Sequence, residues 1–331
     1  MYGIITHIRN ILFDFDILRT KSHEIKTISV GNLRVGGTGK TPFVEYLVKR
    51  LSQSHKIAVV SRGYGRKTKG YVEANPSSTA AQIGDEPLQI ANKFKEILVA
   101  VCENRNLAIE TIRKNHPEIN LILLDDAFQH RYVRRNLNIL LTEYNRPFFK
   151  DRVMPFGRLR EYAFNYKRAD YIVVTKCPPL TAKQKGDFVT RLKPYDNQKV
   201  FFSNIIYKEP YLITDRTKTT NIENKSVVLL TAIANNSHIV KYLDGISRVE
   251  GVISFKDHHG FTERDIKRIK ERFCRLKTKD SILLTTEKDA TKLRAFPLPL
   301  HVLPIDIEVS LYPNQECLIE KTIEQDVRDD K

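Results

Sequence analysis

Apolar residues recur at two different periods along this chain. In the first twenty residues, "MYGIITHIRNILFDFDILRT", Ile4, Ile5, Ile8, Ile11, Leu12, Phe15 and Leu18 are spaced by three and four, the stripe of an amphipathic helix. Such a stripe either docks on the protein's own core or lies in a bilayer surface. Arg9, Arg19 and Lys21 suit lipid headgroups, whereas Asp14 and Asp16 do not. From Ile25 the texture changes to short, nearly all-apolar runs separated by helical patterns: "IKTISV", a helix over 39–53, "KIAVV", a helix over 86–94, "EILVAV", a helix over 106–115, then "INLILLDD", "NILLTE" and "DYIVVTK". Strands without a polar face, alternating with helices, predict a doubly wound α/β domain whose parallel sheet is covered on both sides.

Near Cys177 the segment "KCPPLTAKQKGDF" reads as a passage into a second unit. A smaller α/β series follows: "KVFFSNIIY", "SVVLLTAI", a helix after Asn235, "RVEGVISF", a helix over 262–276, "DSILLTT" and "LHVLPIDIEV". The expected organisation is an amphipathic helix over 1–24, a core over 25–178 and a smaller domain over 179–331. The charged tail "IEQDVRDDK" reads as a frayed end.

Chemistry concentrates where predicted strands end. "SVGNLRVGGTGKTPF" is a strand, a glycine-rich turn and the start of a helix, as in a phosphate-binding loop, but Arg34 stands where the strict GxxxxGK[ST] pattern has its first glycine. Gly36 and Gly31 can supply the turn instead. The N–H groups around Gly36, Gly37 and Gly39 and the helix dipole would cradle phosphates; Lys40 would reach the β and γ oxygens, and Thr41 would hold Mg²⁺. Pro42 fits the first helical turn, where its missing N–H is no loss. "INLILLDDAFQHR" ends a strand in Asp125 and Asp126, carboxylates suited to Mg²⁺ beside such a loop, with Gln129 and His130 following as phosphate-orienting or helix-capping residues.

Three further loops stay open between two readings. "VVSRGYGRK", with Tyr64 between glycines, holds phosphate or is a basic surface turn. Asp85 in "GDEP" caps a helix or acts as a general base. In "FKDHHGFT", neighbouring His258 and His259 point apart, which argues against a two-histidine metal site and favours one of them as an acid/base partner.

Composition adds limits. Lys and Arg number 55 against 39 Asp and Glu, so an anionic partner is expected, whether nucleic acid, phospholipid or a phosphorylated substrate. Four cysteines without paired spacing and no secretory signal point to a reducing cytoplasm, and no apolar run of about 18 residues predicts a membrane-spanning helix.

Taken together, "VGNLRVGGTGKTP", "SRGYGRK", "GDEP", "DDAFQHR", "GRLRE", "FKDHHGFT" and "TTEKDATKL" resemble, in order, the tetraacyldisaccharide 4′-kinases, the lipid A 4′-kinases of Gram-negative bacteria. The resemblance runs from the N-terminus to about residue 310. It implies ATP- and Mg²⁺-dependent phosphorylation of an acylated glucosamine disaccharide 1-phosphate by a peripheral protein at the cytoplasmic face of the inner membrane, with no nucleic acid and no obligate protein partner. It also implies a P-loop domain joined to a smaller α/β domain by a two-stranded hinge.

Carried onto this sequence, the ATP loop is Arg34, Val35, Gly36, Gly37, Thr38, Gly39, Lys40 and Thr41. Asp85 matches the base and His258 its supporting histidine, brought in by closure of the second domain. Asp125 and Asp126 match the acidic pair, and Tyr64, Arg105, Arg160 and Glu161 match other active-site positions. Ala127, Arg158 and Lys256 depart from the usual glycine and two prolines of the family, which touches loop shape and removes no reacting group. The competing reading is a partitioning- or targeting-type ATPase or GTPase, disfavoured because Val35 stands where that group has a lysine.

Overall fold

The computed structural model describes residues 2–278, 280–313 and 319–328. The chain begins with helix α1 (Tyr2–Asp14), then β1 (Lys26–Asn32), α2 (Lys40–Leu51), β2 (Ile57–Ser61), β3 (Val72–Glu73), α3 (Ala80–Ile83) and α4 (Asp85–Lys93). It continues through β4 (Leu98–Val101), α5 (Arg105–Asn115), β5 (Leu121–Asp125), β6 (Leu137–Glu143), β7 (Tyr171–Thr175), α6 (Ala182–Leu192) and β8 (Lys199–Tyr207). After β9 (Tyr211–Leu212), β10 (Asp215–Thr219), β11 (Ser226–Thr231), α7 (Ser237–Asp244) and β12 (Arg248–Ser254) come α8 (Glu263–Leu276), β13 (Ile282–Thr286) and α9 (Glu287–Leu293). The last elements are β14 (Leu300–Leu303), β15 (Ile305–Tyr312) and α10 (Ile319–Arg328).

The chain divides into two units, residues 1–205 with 307–331, and residues 206–306. In the larger, nine strands lie in the order β15-β8-β7-β6-β1-β5-β2-β4-β3, and the pairs from β8 to β4 are parallel. The apolar runs behave as their lack of a polar face requires. Leu121 and Leu123 pack toward Phe43, Leu47 and Leu51 of α2, while Ile122 and Leu124 pack toward Ala108, Ile109 and Ile112 of α5. Adjacent β1 neighbours β5 on one side and β6 on the other, so the strand order reverses direction about β1. Ligands of open α/β sheets bind at the carboxyl ends of strands at such a reversal.

The smaller unit has six strands in the order β10-β9-β14-β13-β11-β12, parallel from β14 to β12. Its parallel strands deliver the loop after β12 and the start of α9 to their carboxyl edge. The chain passes between the units within β8 and β15, which are neighbouring strands.

Three expectations change. The expected boundary at 178/179 falls too early, because α6 and most of β8 belong to the larger unit. The segment read as a linker is a helix with a Thr181–Gln184 capping box, burying Phe188 and Leu192 against the sheet; its prolines precede the cap rather than end a domain. The tail is not frayed through Arg328: α10 buries Ile319 and Ile323 in the core beside α2, and Asp326 accepts hydrogen bonds from Tyr171 and Lys199. Residues 329–331 of that tail lie outside the described residues.

The N-terminal stripe forms its helix, and its orientation resolves one open choice. Asn10 and Phe13 turn inward, each 4% exposed, while Ile4, Ile5, Ile8, Ile11 and Phe15 face outward. The apolar face is therefore the outer one, and Asp14, which weighed against a bilayer, is turned to Arg131 at 2.7 Å.

Candidate active site

Lys40 opens α2 directly after Gly39, whose φ of 85° is a left-handed conformation that glycine adopts without strain. Gly36, at φ 114°, also needs that freedom. Side chains built at Gly36 or Gly37 would meet nothing within 4 Å, so the loop bounds open space with its backbone exposed. The first-turn N–H groups of α2 have no intrahelical acceptor and border the same space. Beneath the loop, Thr38 is buried: its hydroxyl accepts from Asn32 Nδ2 at 2.6 Å and its carbonyl from Thr175 Oγ1 at 2.8 Å. This loop is shaped for phosphates.

The absent first glycine has a structural explanation. Arg34 forms a backbone bridge with Leu159, and its guanidinium is held by Asp151 at 2.9 Å and Glu143 at 3.3 Å. Expected in the ATP loop, Arg34 ties the entrance of that loop to the neighbouring segments. Gly31 has a different task from turning the chain: a Cβ there would sit 2.7 Å from the Phe128 backbone, so it permits close passage of the loop after β5.

Asp125 ends β5 in register with Val30 of β1, which brings the acidic pair beside the glycine loop. Asp126 lies 3.6 Å from Lys40 Nζ and accepts from Arg160 Nη1 at 2.9 Å. Burial alone would raise its pKa; the opposing charges of Lys40, Arg160 and Arg105 outweigh burial and hold the carboxyl below its ordinary value. Asp125 behaves oppositely. It is 4% exposed, and burial, reinforced by the Asp126 charge, pushes its pKa up to about 6. Its Oδ1 has no hydrogen-bond partner among the described residues. A buried carboxyl with an open oxygen, next to a second carboxylate and the Thr41 end of the loop, fits a divalent cation such as Mg²⁺.

Arg105, expected at the cofactor, starts α5 almost fully buried. Its guanidinium donates to the carbonyls of Cys102 (2.8 Å), Glu103 (3.3 Å) and Asp125 (3.5 Å). It stands behind Asp125 rather than in the open loop. Tyr64 is 75% exposed; its own carbonyl would lie 3.0 Å from a Cβ on Gly84, the residue before Asp85. The "RGYG" and "GDEP" loops thus pack backbone against backbone, and Gly84 rather than Asp85 occupies the cap position of α4. Asp85 is the first helical residue, 8% exposed.

Two predicted residues read differently once placed. Glu161 is 2% exposed and accepts from Asn10, Gln129 and Arg168, a buried junction rather than an open acid. His130 has its Nε2 without a partner among the described residues, and burial with four surrounding arginines pushes its pKa down to about 4. It is neutral at physiological pH.

In the smaller unit, the loop after β12 separates the two histidines. His259 stacks on Phe255 and meets Asp265 of the α8 cap at 3.1 Å, a packing role. His258 has φ 60°, and Lys288 Nζ, at the start of α9, lies 3.3 Å from His258 Nε2 and 3.1 Å from Asp257 Oδ1. The same Nε2 also faces Asp257 Oδ2 at 3.7 Å, so a cation and a carboxylate both meet this ring nitrogen.

Sequence reasoning missed Lys176 and Lys288. Lys176 follows β7, bonds to the Gly37 carbonyl and pairs with Glu143. A lysine at the carboxyl end of the run "DYIVVTK" was the available signal. Asp126, Lys176 and His258 are all left-handed non-glycine residues, a conformation that costs about 1–2 kcal/mol and clusters at functional sites.

A glycine-rich loop at a reversal of a parallel sheet, with a lysine, an acidic pair and an arginine converging beside it, defines a P-loop nucleotide-binding protein of the α/β class. Its family follows from comparison. The family model described as tetraacyldisaccharide-1-P 4′-kinase (LpxK) matches residues 1–325, and the chain belongs to this family. It is 43% identical to the tetraacyldisaccharide 4′-kinase of Bacteroides thetaiotaomicron, over 93% of this chain and 87% of that one. It is also 43% identical to the enzyme of that name from Flavobacterium psychrophilum, over 98% and 93%. Among solved structures it is similar to the LpxK of Aquifex aeolicus in complex with ATP, with a TM-score of 0.73 and 28% identity, over 98% of this chain and 96% of that one.

Proposed function

We propose that this protein transfers the γ-phosphoryl group of ATP to the 4′-hydroxyl of a tetraacyldisaccharide 1-phosphate. Family membership over nearly the whole chain carries this reading, and the converging Lys40, Asp126 and Arg160 support it. No comparable support exists for a partitioning-type ATPase.

In the reaction the 4′-oxygen forms a bond to the γ-phosphorus, the bond from that phosphorus to the β-phosphate oxygen breaks, and ADP leaves. Asp85 takes the hydroxyl proton, aided by His258. The backbone of Gly36 to Gly39 and Lys40 hold the phosphates, and Arg160 offsets charge that develops on the transferred group. Thr41, Asp125 and Asp126 would hold Mg²⁺, which neutralises charge on the phosphate oxygens. Arg105 keeps Asp125 in place from behind. Incubation with labelled ATP, Mg²⁺ and the disaccharide 1-phosphate in detergent tests the reading, and no lipid phosphorylation in any detergent would sink it.

The outward isoleucine face of α1 supports association with an anionic membrane surface, the cytoplasmic face of the inner membrane on this reading. Among the described residues no helix is long and apolar enough to cross a membrane. A lipid with four acyl chains leaves a bilayer at a cost of about 0.8 kcal/mol per CH₂, so the enzyme goes to the lipid. Ile5→Glu with Ile8→Glu should release the protein from anionic vesicles in co-sedimentation. Undiminished binding would remove α1 as the anchor.

A further inference from the structure

We propose that α1 is also a positioning element of the active site: its inward Asn10 fixes Glu161, and through Glu161 the neighbouring Arg160. This rests on the role given to Arg160 in phosphoryl transfer. The helix then does two things with two faces, the outer meeting lipid and the inner setting catalytic geometry.

Asn10 Nδ2 donates to Glu161 Oε2 at 2.6 Å, with Asn10 4% and Glu161 2% exposed. The other carboxylate oxygen accepts from Gln129 Nε2 at 3.0 Å and Arg168 Nη2 at 2.7 Å. A buried carboxylate held from three directions has one position, and the loss of any donor leaves a desolvated acceptor open. Asn10 is itself held: Arg131 donates to its carbonyl at 2.8 Å and reaches Asp14 at 2.7 Å. A second tie runs from Arg9 to the Gln129 carbonyl at 3.1 Å.

The same junction touches both walls of the phosphate site. Gln129 follows the acidic pair by three residues, and its amide also donates to the Asn32 carbonyl at 2.8 Å, at the end of the strand that leads into the glycine loop. Arg160 donates its backbone N–H to the Leu33 carbonyl at 2.7 Å and its guanidinium to Asp126 at 2.9 Å. Glu161 is therefore a positioning residue, not a catalytic one, and a small shift of its carboxylate moves the segment that aims Arg160. Misplacements of about 1 Å cost on the order of a hundredfold in rate.

Asn10→Leu keeps the bulk and removes the donor. It should lower kcat at least tenfold while the KM for ATP and vesicle binding move less than twofold. In an Arg160→Ala background the same change should lower kcat less than twofold, because the group being positioned is gone. Glu161→Gln should reproduce the kcat loss, and it decides the matter if Asn10→Leu does not fold. Unchanged kcat in the folded single variants, or an equal loss with and without Arg160, would overturn the proposal. The two readings fail differently: a wild type inert toward the lipid sinks the kinase reading, whereas an active wild type indifferent to Asn10→Leu sinks this one.

Discussion

The two units place their polar groups at the carboxyl ends of parallel strands, yet under different conditions. In the larger unit Thr38, Asp125, Arg105 and Glu161 are each 4% exposed or less, and they brace Lys40, Asp126 and Arg160 from below. In the smaller unit the His258 and Asp257 side chains are 36% exposed and Lys288 is 21% exposed. Charges out of water interact several-fold more strongly than exposed ones, which solvent screens. The larger unit thus offers preorganised electrostatics for phosphate, and the smaller offers a part-exposed histidine whose Nε2 faces Lys288 and Asp257. Loss of a braced group should cost more than loss of an exposed one.

The sharpest test of that ranking is Lys40→Ala, expected to lower kcat/KM by about 10³-fold or more, since it removes the cation facing the transferred phosphate. Steady-state kinetics with MgATP checks it; a loss under tenfold would contradict a braced phosphate site. Next, Asp85→Ala should cost about 10²- to 10⁴-fold in kcat as the proton acceptor goes. His258→Ala should cost less, and an unchanged kcat in that variant would disconnect the smaller unit's histidine from the reaction.

Lys288→Met should have a smaller effect, of several-fold in kcat. It removes the ammonium that faces His258 Nε2 at 3.3 Å, so the pH dependence of kcat should differ between the variant and the wild type. An identical pH profile in both proteins would make Lys288 a surface ion pair only.

A last effect, absent at neutral pH, concerns Asp125. With its pKa at about 6 rather than the ordinary 3.8, the group is increasingly protonated as pH falls through 6, and a protonated carboxyl is a poor Mg²⁺ ligand. Mg²⁺ affinity measured by calorimetry should therefore weaken below pH 6, with proton release on binding, by up to about tenfold per pH unit. Asp125→Asn should abolish the proton release. A flat affinity from pH 7 to 5 would mean that Asp125 is not a ligand.

Much of the larger unit was legible because its local signals agree. "INLILLDD" has no polar face, so it had to be a central strand, and its two aspartates had to emerge at that strand's carboxyl end. The glycine loop was legible for the same reason, down to Pro42 inside the first turn. The linker reading of "KCPPLTAKQKGDF" failed because a Thr–Gln capping box outweighs prolines that lie before it. The roles of Arg34 and Glu161 were not legible, since each depends on a partner more than a hundred residues away in sequence: Glu143 and Asp151 for Arg34, and Asn10, beside the nearer Gln129 and Arg168, for Glu161.

By itself the sequence determined the periodicities, and with them the elements, the covered parallel sheet and the strand ends where the reactive groups emerge. Tertiary structure decided which way each element turned. A helical stripe fixes that α1 has an apolar face but not whether that face looks inward. Only the burial of Asn10 and Phe13 against the larger unit settled that it looks out. Likewise, a lone charged residue carries no label for cradle, brace or base, because that role depends on which charges lie within a few ångströms. For Arg34, Arg105 and Glu161 folding alone supplied them.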